Sequence, residues 1–425
     1  MYFKIFLNGG YTLISIKNWW FLIGILIFSP VLRLPTSGSY LVLYNIPLFL
    51  FFMYVIFIKR ELVLYRYKIP AAVFCLFFIL STVVGLFYIP SSWWQMSFIA
   101  TVKVVLIFFC LTMLNNDKEL HAMREGFFSA VKIIAPVQFI WIIFQLVAFF
   151  YFGIRLNTEV FGVSTSSEFA TGITLTGLSW ERADVVLLFV IATAICRNKY
   201  YRVLCLVGVL LTLSRTGFLM LAVVYLTEFF CDHNLSFKLT TIKNIFKYLI
   251  IAIFCLLFTI LIFPEQFDTI VDFISNFAGR FIWLFTDVAE YGGEEVDGHK
   301  LYYFWLPYTL ANSSPIQLLF GIGFRVSGWV YTYLFGRFST IGPWAIECDF
   351  VSLIIGCGLL GTISYYYLMY KIYKINCNII KNKAIIIALF LGTFTYAFIH
   401  SATALIIMLL LYSKYNAVGN TKMKT

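Results

Sequence analysis

Long apolar runs separated by short polar segments dominate the hydrophobicity pattern of this 425-residue chain. A helix that crosses a bilayer needs about 20 mostly apolar residues, and many of these runs approach that length. The predicted spans are 19–34, 40–58, 69–89, 94–114, 126–152, 183–196, 201–213, 216–231, 247–263, 347–370, 384–398 and 400–413. The last two are short and could instead form a re-entrant pair. The pattern predicts an all-α polytopic membrane protein with about twelve transmembrane helices in a single domain, residues 1–425.

One long polar interruption, residues 264–346, stands apart from the short connections elsewhere. A segment of more than 80 residues is long for a simple loop, so we expect it to contain short helices. Its stretch 300–311 is rich in tyrosine and tryptophan, which favours a helix at the membrane interface. Gly321 and Gly323 allow a sharp backbone turn or a close approach to a ligand. A second loop on the same face is predicted at 153–181.

The composition supports a membrane protein, with 61% hydrophobic and only 12% charged residues. The net charge of +11 does not indicate nucleic-acid binding, because 21 of the 31 Lys and Arg residues fall in short loops and termini of one face. By the positive-inside rule, both termini are cytoplasmic. The nine cysteines form no disulfide framework, and no HExxH or CxxC motif occurs. We therefore expect no metal and no cofactor.

The opposite, outer face carries mostly arginine, whose planar fork suits phosphate and carboxylate groups. Arg215 lies in the turn Leu213-Ser214-Arg215-Thr216-Gly217 between two spans. An arginine there is costly unless it is paired or faces a polar cavity. The alternative is an ordinary turn arginine at the lipid headgroups.

Four motifs, in this order along the chain, resemble the O-antigen polymerase and ligase superfamily. They are Thr176-Gly177-Leu178-Ser179-Trp180-Glu181; the Ser-Arg-Thr turn at Arg215; Lys300 to Trp305 followed by Pro315 and Gly321-Ile322-Gly323; and Asp349-Phe350 through Gly358-Leu359-Leu360-Gly361. The chain departs from the family pattern at two positions. Arg182 replaces the proline that often follows the Glu, and the basic residue before Trp305 is Lys300 instead of an arginine. Ligases of this superfamily usually carry a His where this chain has Glu347-Cys348-Asp349, which favours a polymerase.

The resemblance implies a GT-C-like, metal-independent glycosyltransferase of the bacterial inner membrane. Such an enzyme joins undecaprenyl-diphosphate-linked oligosaccharide units at the periplasmic face, moving the growing glycan onto a hydroxyl of the incoming unit. The lipid-linked oligosaccharide and the bilayer would be its partners, and a chain-length regulator protein is a further candidate. The alternatives are an O-antigen ligase, which moves finished polymer onto lipid A–core, and a polysaccharide flippase or transporter.

Glycosyl transfer from a lipid diphosphate needs cations for the leaving group and a base or oriented carboxylate for the acceptor hydroxyl. The candidates for diphosphate binding are Arg215, Arg280, Lys300 and Arg325. The candidate catalytic residues are Glu347, Asp349, Glu181 and His400. The candidate glycan-binding aromatics are Trp305, Tyr302 and Tyr303. Each has a plainer alternative: the acids are also typical of a solvated helix start, and His400 of a satisfied interfacial histidine.

Lys103 lies in the middle of a predicted span, with no Asp or Glu nearby in the sequence. Either an ion pair with another helix or contact with the lipid diphosphate would account for a lysine at this position.

The first prediction concerns Arg215. If its guanidinium binds the diphosphate, Arg215→Ala should abolish polymer while the protein still inserts into the membrane. Gel analysis of surface polysaccharide, with immunoblotting of membranes for protein level, measures both. A full-length polymer ladder from this variant would remove Arg215 from the mechanism.

Overall fold

Helices make up 81% of the described residues of the computed structural model. The structure describes residues 2–7, 10–36, 39–59, 68–113, 117–162, 175–179, 182–212, 214–231, 306–307, 309–326, 348–396 and 398–412. The helices in chain order are α1 (Ile16–Ile27), α2 (Asn45–Tyr54), α3 (Ile69–Gly85), α4 (Trp94–Met113), α5 (Asp117–Phe152), α6 (Leu156–Phe161), α7 (Arg182–Ile195), α8 (Lys199–Leu211), α9 (Arg215–Cys231), α10 (Pro315–Phe320), α11 (Asp349–Asn376), α12 (Ile380–Gly392) and α13 (Ala402–Leu411). Short 3₁₀ turns cover Ser91–Trp93 and Phe398–His400, and a π-helical turn, Val55–Lys59, extends α2.

Within these ranges, helices occupy every predicted span except 247–263, which lies outside the described residues. Three of them are long and apolar enough to cross a membrane by length and composition: Ser91–Cys110, Lys118–Phe152 and Asp349–Asn376. Several other apolar helices are shorter than a full span. The fold is therefore compatible with a helical membrane protein, and the number of twelve spans stays a prediction.

Two β-hairpins near the N-terminus add a few strands to this mostly helical fold. Strand β1 (Tyr2–Leu7) pairs antiparallel with β2 (Gly10–Ser15), and β3 (Arg33–Thr36) pairs with β4 (Ser39–Val42). In the sequence, Asn8 and Gly9 separate the first pair, a dipeptide that favours tight hairpins. The first predicted span, 19–34, is also too long, because α1 ends at Ile27 and Pro30 follows.

The centre of the bundle is formed by α7 and α13. Every residue of α13 is buried, and so is the run Val185–Ala194 of α7. A helix that is apolar on all sides is normally enclosed by others, and α13 packs against α4, α5, α11 and α12. The short C-terminal apolar run is therefore a central helix of 10 residues in this structure.

A junction of glycines joins the segment after α10 to α3 and α11. Backbone N–H groups of Ile322 and Gly323 donate to the carbonyls of Ile355 (3.1 Å) and Gly356 (2.9 Å) in α11. A Cβ at Gly321 would lie 2.3 Å from the Gly356 carbonyl oxygen. The close approach that these glycines permit is to the protein's own backbone.

Helix α11 is kinked where this junction meets it. Gly358 has φ 65° and ψ −173° inside the helix, and a Cβ there would lie 2.4 Å from the Leu319 carbonyl. The kink frees α11 carbonyls for outside donors, and the Ser81 hydroxyl of α3 also donates to Gly356 O at 2.6 Å. The junction holds the chain that leads to Arg325 against two long helices.

Gly321→Ala should destabilise the protein strongly, because it adds a clash with α11 to the cost of a positive φ. Gly153→Ala is the matched control, since Gly153 has φ 63° with nothing within 4 Å of the added Cβ. We expect about 1–2 kcal/mol for the control and at least about 2 kcal/mol more for Gly321→Ala. Thermal unfolding of the purified protein in detergent measures the difference. Equal losses of unfolding free energy in the two variants would contradict close packing of Gly321 against α11.

Candidate functional site

A short turn between α12 and α13 carries His400 and is anchored at both ends. Residues Phe398–His400 form a 3₁₀ turn, and Ser401 then caps α13 by accepting the N–H of Ala404. The Ser401 hydroxyl also donates to Asp184 Oδ1 of α7 at 2.9 Å. The turn is thereby tied to the start of α7.

Asp349, at the start of α11, holds this turn through hydrogen bonds. Its side chain is completely buried, its Oδ1 accepts the Ile399 N–H at 2.9 Å, and its Oδ2 accepts the Tyr365 hydroxyl at 3.4 Å. Its own N–H donates to Tyr396 O at 3.2 Å. The alternative of a solvated helix start is wrong for Asp349, because three hydrogen bonds enclose it in the bundle.

The imidazole of His400 lies among groups from three other elements. Its ring stacks on Phe324 with a centroid distance of 4.7 Å, and its Nε2 is 3.4 Å from the Ser352 hydroxyl of α11. Among the described residues, its Nδ1 is buried and has no hydrogen-bond partner. One ring nitrogen is therefore open to a further donor or acceptor, according to the tautomer.

Two cations flank this histidine. Lys103 of α4 donates from Nζ to the backbone carbonyl of His400 at 2.9 Å. Arg325, like Lys103, lies close enough to act electrostatically on the imidazole. The mid-span lysine thus reaches the His400 turn, where it contacts a backbone carbonyl.

Arg325 has φ 65°, the one positive φ among the described residues other than glycine. A left-handed conformation costs a residue with a side chain about 1–2 kcal/mol, so the surrounding structure must impose it. The glycine junction just before it supplies that restraint. The half-buried Arg325 is thereby fixed on the His400 side of the bundle.

Arg215 begins α9 at the same end of the bundle. Its neighbour Thr216 donates to the Thr395 hydroxyl at 3.0 Å, one residue before the segment that Asp349 holds. Arg215 itself is half-buried. The structure therefore brings four sequence-predicted residues to one end of the helices: Arg215, Arg325, Asp349 and His400.

The remaining predicted site residues fall outside the described part of the chain. They are Glu181, Glu347, Arg280, Lys300, Tyr302, Tyr303 and Trp305. Within the described ranges no group of three or more His, Cys, Asp and Glu side chains has the arrangement of a metal site. The absence of metal and cofactor stays a prediction.

A buried amide cluster holds the segment that leads to Glu181. Gln138 and Gln145 of α5 accept backbone N–H groups of residues 175–179 at 2.6 and 2.9 Å, and Asn157 donates to a carbonyl of the same segment at 2.8 Å. Sequence reasoning missed these three amides. Polar side chains inside apolar helices, such as Gln138 and Gln145, were the available signal.

Sequence reasoning also missed Ser352, Phe324 and Tyr365. Ser352 lies three residues after Asp349, and that spacing on one helix was a usable signal. Tyr365 lies 16 residues from Asp349, and nothing in the sequence links the two.

Comparisons with known proteins identify no family for this chain. No protein-family model matches it, and no curated protein is significantly similar to it in sequence.

Asp349→Ala should loosen the His400 turn, because it leaves the Ile399 N–H and the Tyr365 hydroxyl without their buried acceptor. We expect a loss of about 2–4 kcal/mol of unfolding free energy. Asp349→Asn keeps one carbonyl oxygen for the Ile399 N–H and should lose less. Thermal unfolding in detergent ranks the two variants, and equal stability of Asp349→Ala and the native protein would contradict this anchoring role.

Proposed function

We propose that this protein is a membrane glycosyltransferase that polymerises lipid-diphosphate-linked oligosaccharide units into a surface polysaccharide. The observation that carries the proposal is the arrangement of Lys103 and Arg325 around His400. These residues come from α4, from the segment after α10 and from the turn before α13, so the fold alone assembles them. The motif order around Arg215 and residues 300–361 supports the same function.

The two cations and Arg215 would bind the diphosphate of the lipid carrier. Negative charge grows on the diphosphate as the bond from the anomeric carbon to its oxygen breaks. Lysine and arginine held in place beforehand stabilise that charge through charge-assisted hydrogen bonds. Half-burial of Arg215 and Arg325 strengthens these interactions relative to bulk water.

His400 is the proposed general base. The acceptor hydroxyl oxygen attacks the anomeric carbon, the carbon–oxygen bond to the diphosphate breaks, and the hydroxyl proton passes to a nitrogen of His400. Asp349 in this scheme is a positioning residue, because its hydrogen bonds go to Ile399 and Tyr365. Glu181, Glu347, Arg280, Lys300 and the aromatics Trp305, Tyr302 and Tyr303 stay predicted contributors from the two loops.

The setting that fits this chemistry is the bacterial inner membrane with the His400 end on the periplasmic side. The charge pattern favours cytoplasmic termini, and the apolar runs predict about twelve spans. A periplasmic site gives access to undecaprenyl-diphosphate-linked units after they have crossed the membrane. No nucleotide sugar is then needed.

The ligase is the second candidate, and one observation favours it. The chain lacks the family histidine in Glu347-Cys348-Asp349, yet His400 arrives beside the start of α11, with Nε2 3.4 Å from Ser352. His400 therefore supplies a histidine at this place in the site, although it comes from another part of the chain. Polymerase and ligase then differ in the acceptor rather than in the catalytic group.

Deletion of the gene in its bacterial host separates the candidate functions. Loss of a polymerase gives lipid A–core carrying a single repeat unit. Loss of a ligase gives bare core with polymer left on the lipid carrier, and loss of a flippase gives bare core with no periplasmic polymer. Gel analysis of lipopolysaccharide and of extracted lipid carrier distinguishes these results, and a normal ladder would refute the proposal.

Lys103→Met and Arg325→Ala test the site directly. Each should lower polymer formation by about 100-fold, the usual effect of removing one preorganised group that stabilises transition-state charge. Lys371→Met is the control, because Lys371 lies near the other end of α11, with its ammonium over the ring of Tyr367. Polymer length and amount are measured at matched protein levels, and an equal effect of all three variants would contradict the proposed site.

A further inference from the structure

A second group of cations lies at the end of the bundle opposite His400. Arg124 lies in the first part of α5 and Lys132 near its middle, Arg197 follows α7, and Lys381 lies in the first turn of α12. Helix α12 has 13 residues and separates Lys381 from the His400 turn by about 20 Å at 1.5 Å per residue. We call these four residues the basic cluster.

Backbone and side-chain contacts bring the elements of the basic cluster together. The Tyr201 hydroxyl of α8 donates to Lys132 O at 2.9 Å, and Arg202 donates to Cys196 O at 2.8 Å, next to Arg197. The Lys381 ammonium lies within electrostatic range of the other three cations. Four positive charges therefore lie at one end of the bundle, where α8 contacts α5 and where α12 begins.

Two of the carboxylates that the structure describes near this end are engaged with cations outside the basic cluster. Glu125 pairs with Lys17 at 3.1 Å, and Glu228 pairs with Arg202 at 2.6 Å. The buried Glu119 offers at most one negative charge against four positive ones. Like charges brought together in this way favour the binding of an anion.

The basic cluster combines one buried cation with three exposed ones. Arg124 is only 7% exposed, whereas Lys132, Arg197 and Lys381 are exposed. Beyond Lys132, α5 presents an exposed apolar stripe at helical spacing, formed by Ile133, Val137, Ile140 and Phe144. An amphipathic ligand with an anionic head fits both features, and a basic pocket at the end of membrane helices is typical of anionic lipid sites.

We propose that the basic cluster binds the phosphate of an anionic phospholipid headgroup, with an acyl chain lying along the apolar stripe of α5. This site is separate from the proposed glycosyl-transfer site and does not depend on that activity. It does require that α5 lie in a bilayer.

The test uses the full chain reconstituted in nanodiscs of phosphatidylcholine with a small fraction of phosphatidylglycerol. Native mass spectrometry counts the phosphatidylglycerol retained on the released protein. Arg197→Gln/Lys381→Gln should weaken retention by about fivefold for each charge removed. Lys199→Gln/Lys374→Gln removes the same charge from exposed lysines at the same end and should leave retention unchanged.

A charge-conserving double variant guards against misfolding. Arg197→Lys/Lys381→Arg should retain phosphatidylglycerol, so a loss confined to the glutamine variant reports the charge. An equal loss of phosphatidylglycerol in the cluster variant and the lysine control would show diffuse surface attraction and overturn the proposal. Retention of phosphatidylcholine equal to that of phosphatidylglycerol would also overturn it.

A competition arm identifies the source of the phosphate. Excess inorganic phosphate at constant ionic strength should not displace phosphatidylglycerol, because it lacks the acyl chain that contacts α5. Displacement that depends on Arg197 and Lys381 would instead assign the site to free phosphate and overturn the lipid occupant.

Discussion

The carboxylate of Asp349 is the contact on which the geometry of the His400 end depends. It is completely buried, and it holds the backbone of Ile399 and the hydroxyl of Tyr365 at once. A buried carboxylate is costly without such partners, so the turn and the helix start stabilise each other. This contact fixes the backbone immediately before His400, because His400 is the next residue after Ile399.

The glycine junction supplies the second restraint on the same end. Its backbone hydrogen bonds to Ile355 and Gly356 need a broken helix, and the kink at Gly358 provides it. Irregular backbone inside a membrane bundle is tolerated where neighbouring protein satisfies its polar groups. The result is a fixed Arg325 in a conformation that arginine does not adopt by itself. Strain at one residue is thus maintained by close packing at its neighbours.

The sequence was sufficient for what depends on local pattern. Apolar runs located helices throughout the described spans, and the turn that contains Arg215 and the short apolar run near the end of the chain were visible as candidates. The burial of Asp349 was not predictable, because its partners lie 16 and 50 residues away and their meeting depends on packing. The hairpin Tyr2–Ser15 was missed because it lies before the first predicted span, and the turn signal of Asn8-Gly9 was not used. The contact of Gly321 with α11 was not predictable for the same reason. The glycines indicate in the sequence that the backbone approaches another group closely, but the sequence does not indicate which group.

The two ends of the bundle place cations under different physical conditions. At one end Lys103 and Arg325 converge on His400 between packed helices, where water is scarce and a reacting group would feel their charge strongly. At the other end, three of the four cations in the basic cluster are exposed, so solvent and salt weaken their field. Charge that must act on a bond during a reaction belongs in the first setting, whereas charge that attracts a lipid belongs in the second. The same residue types therefore stand in two electrostatic settings in one fold, and burial rather than charge number separates them.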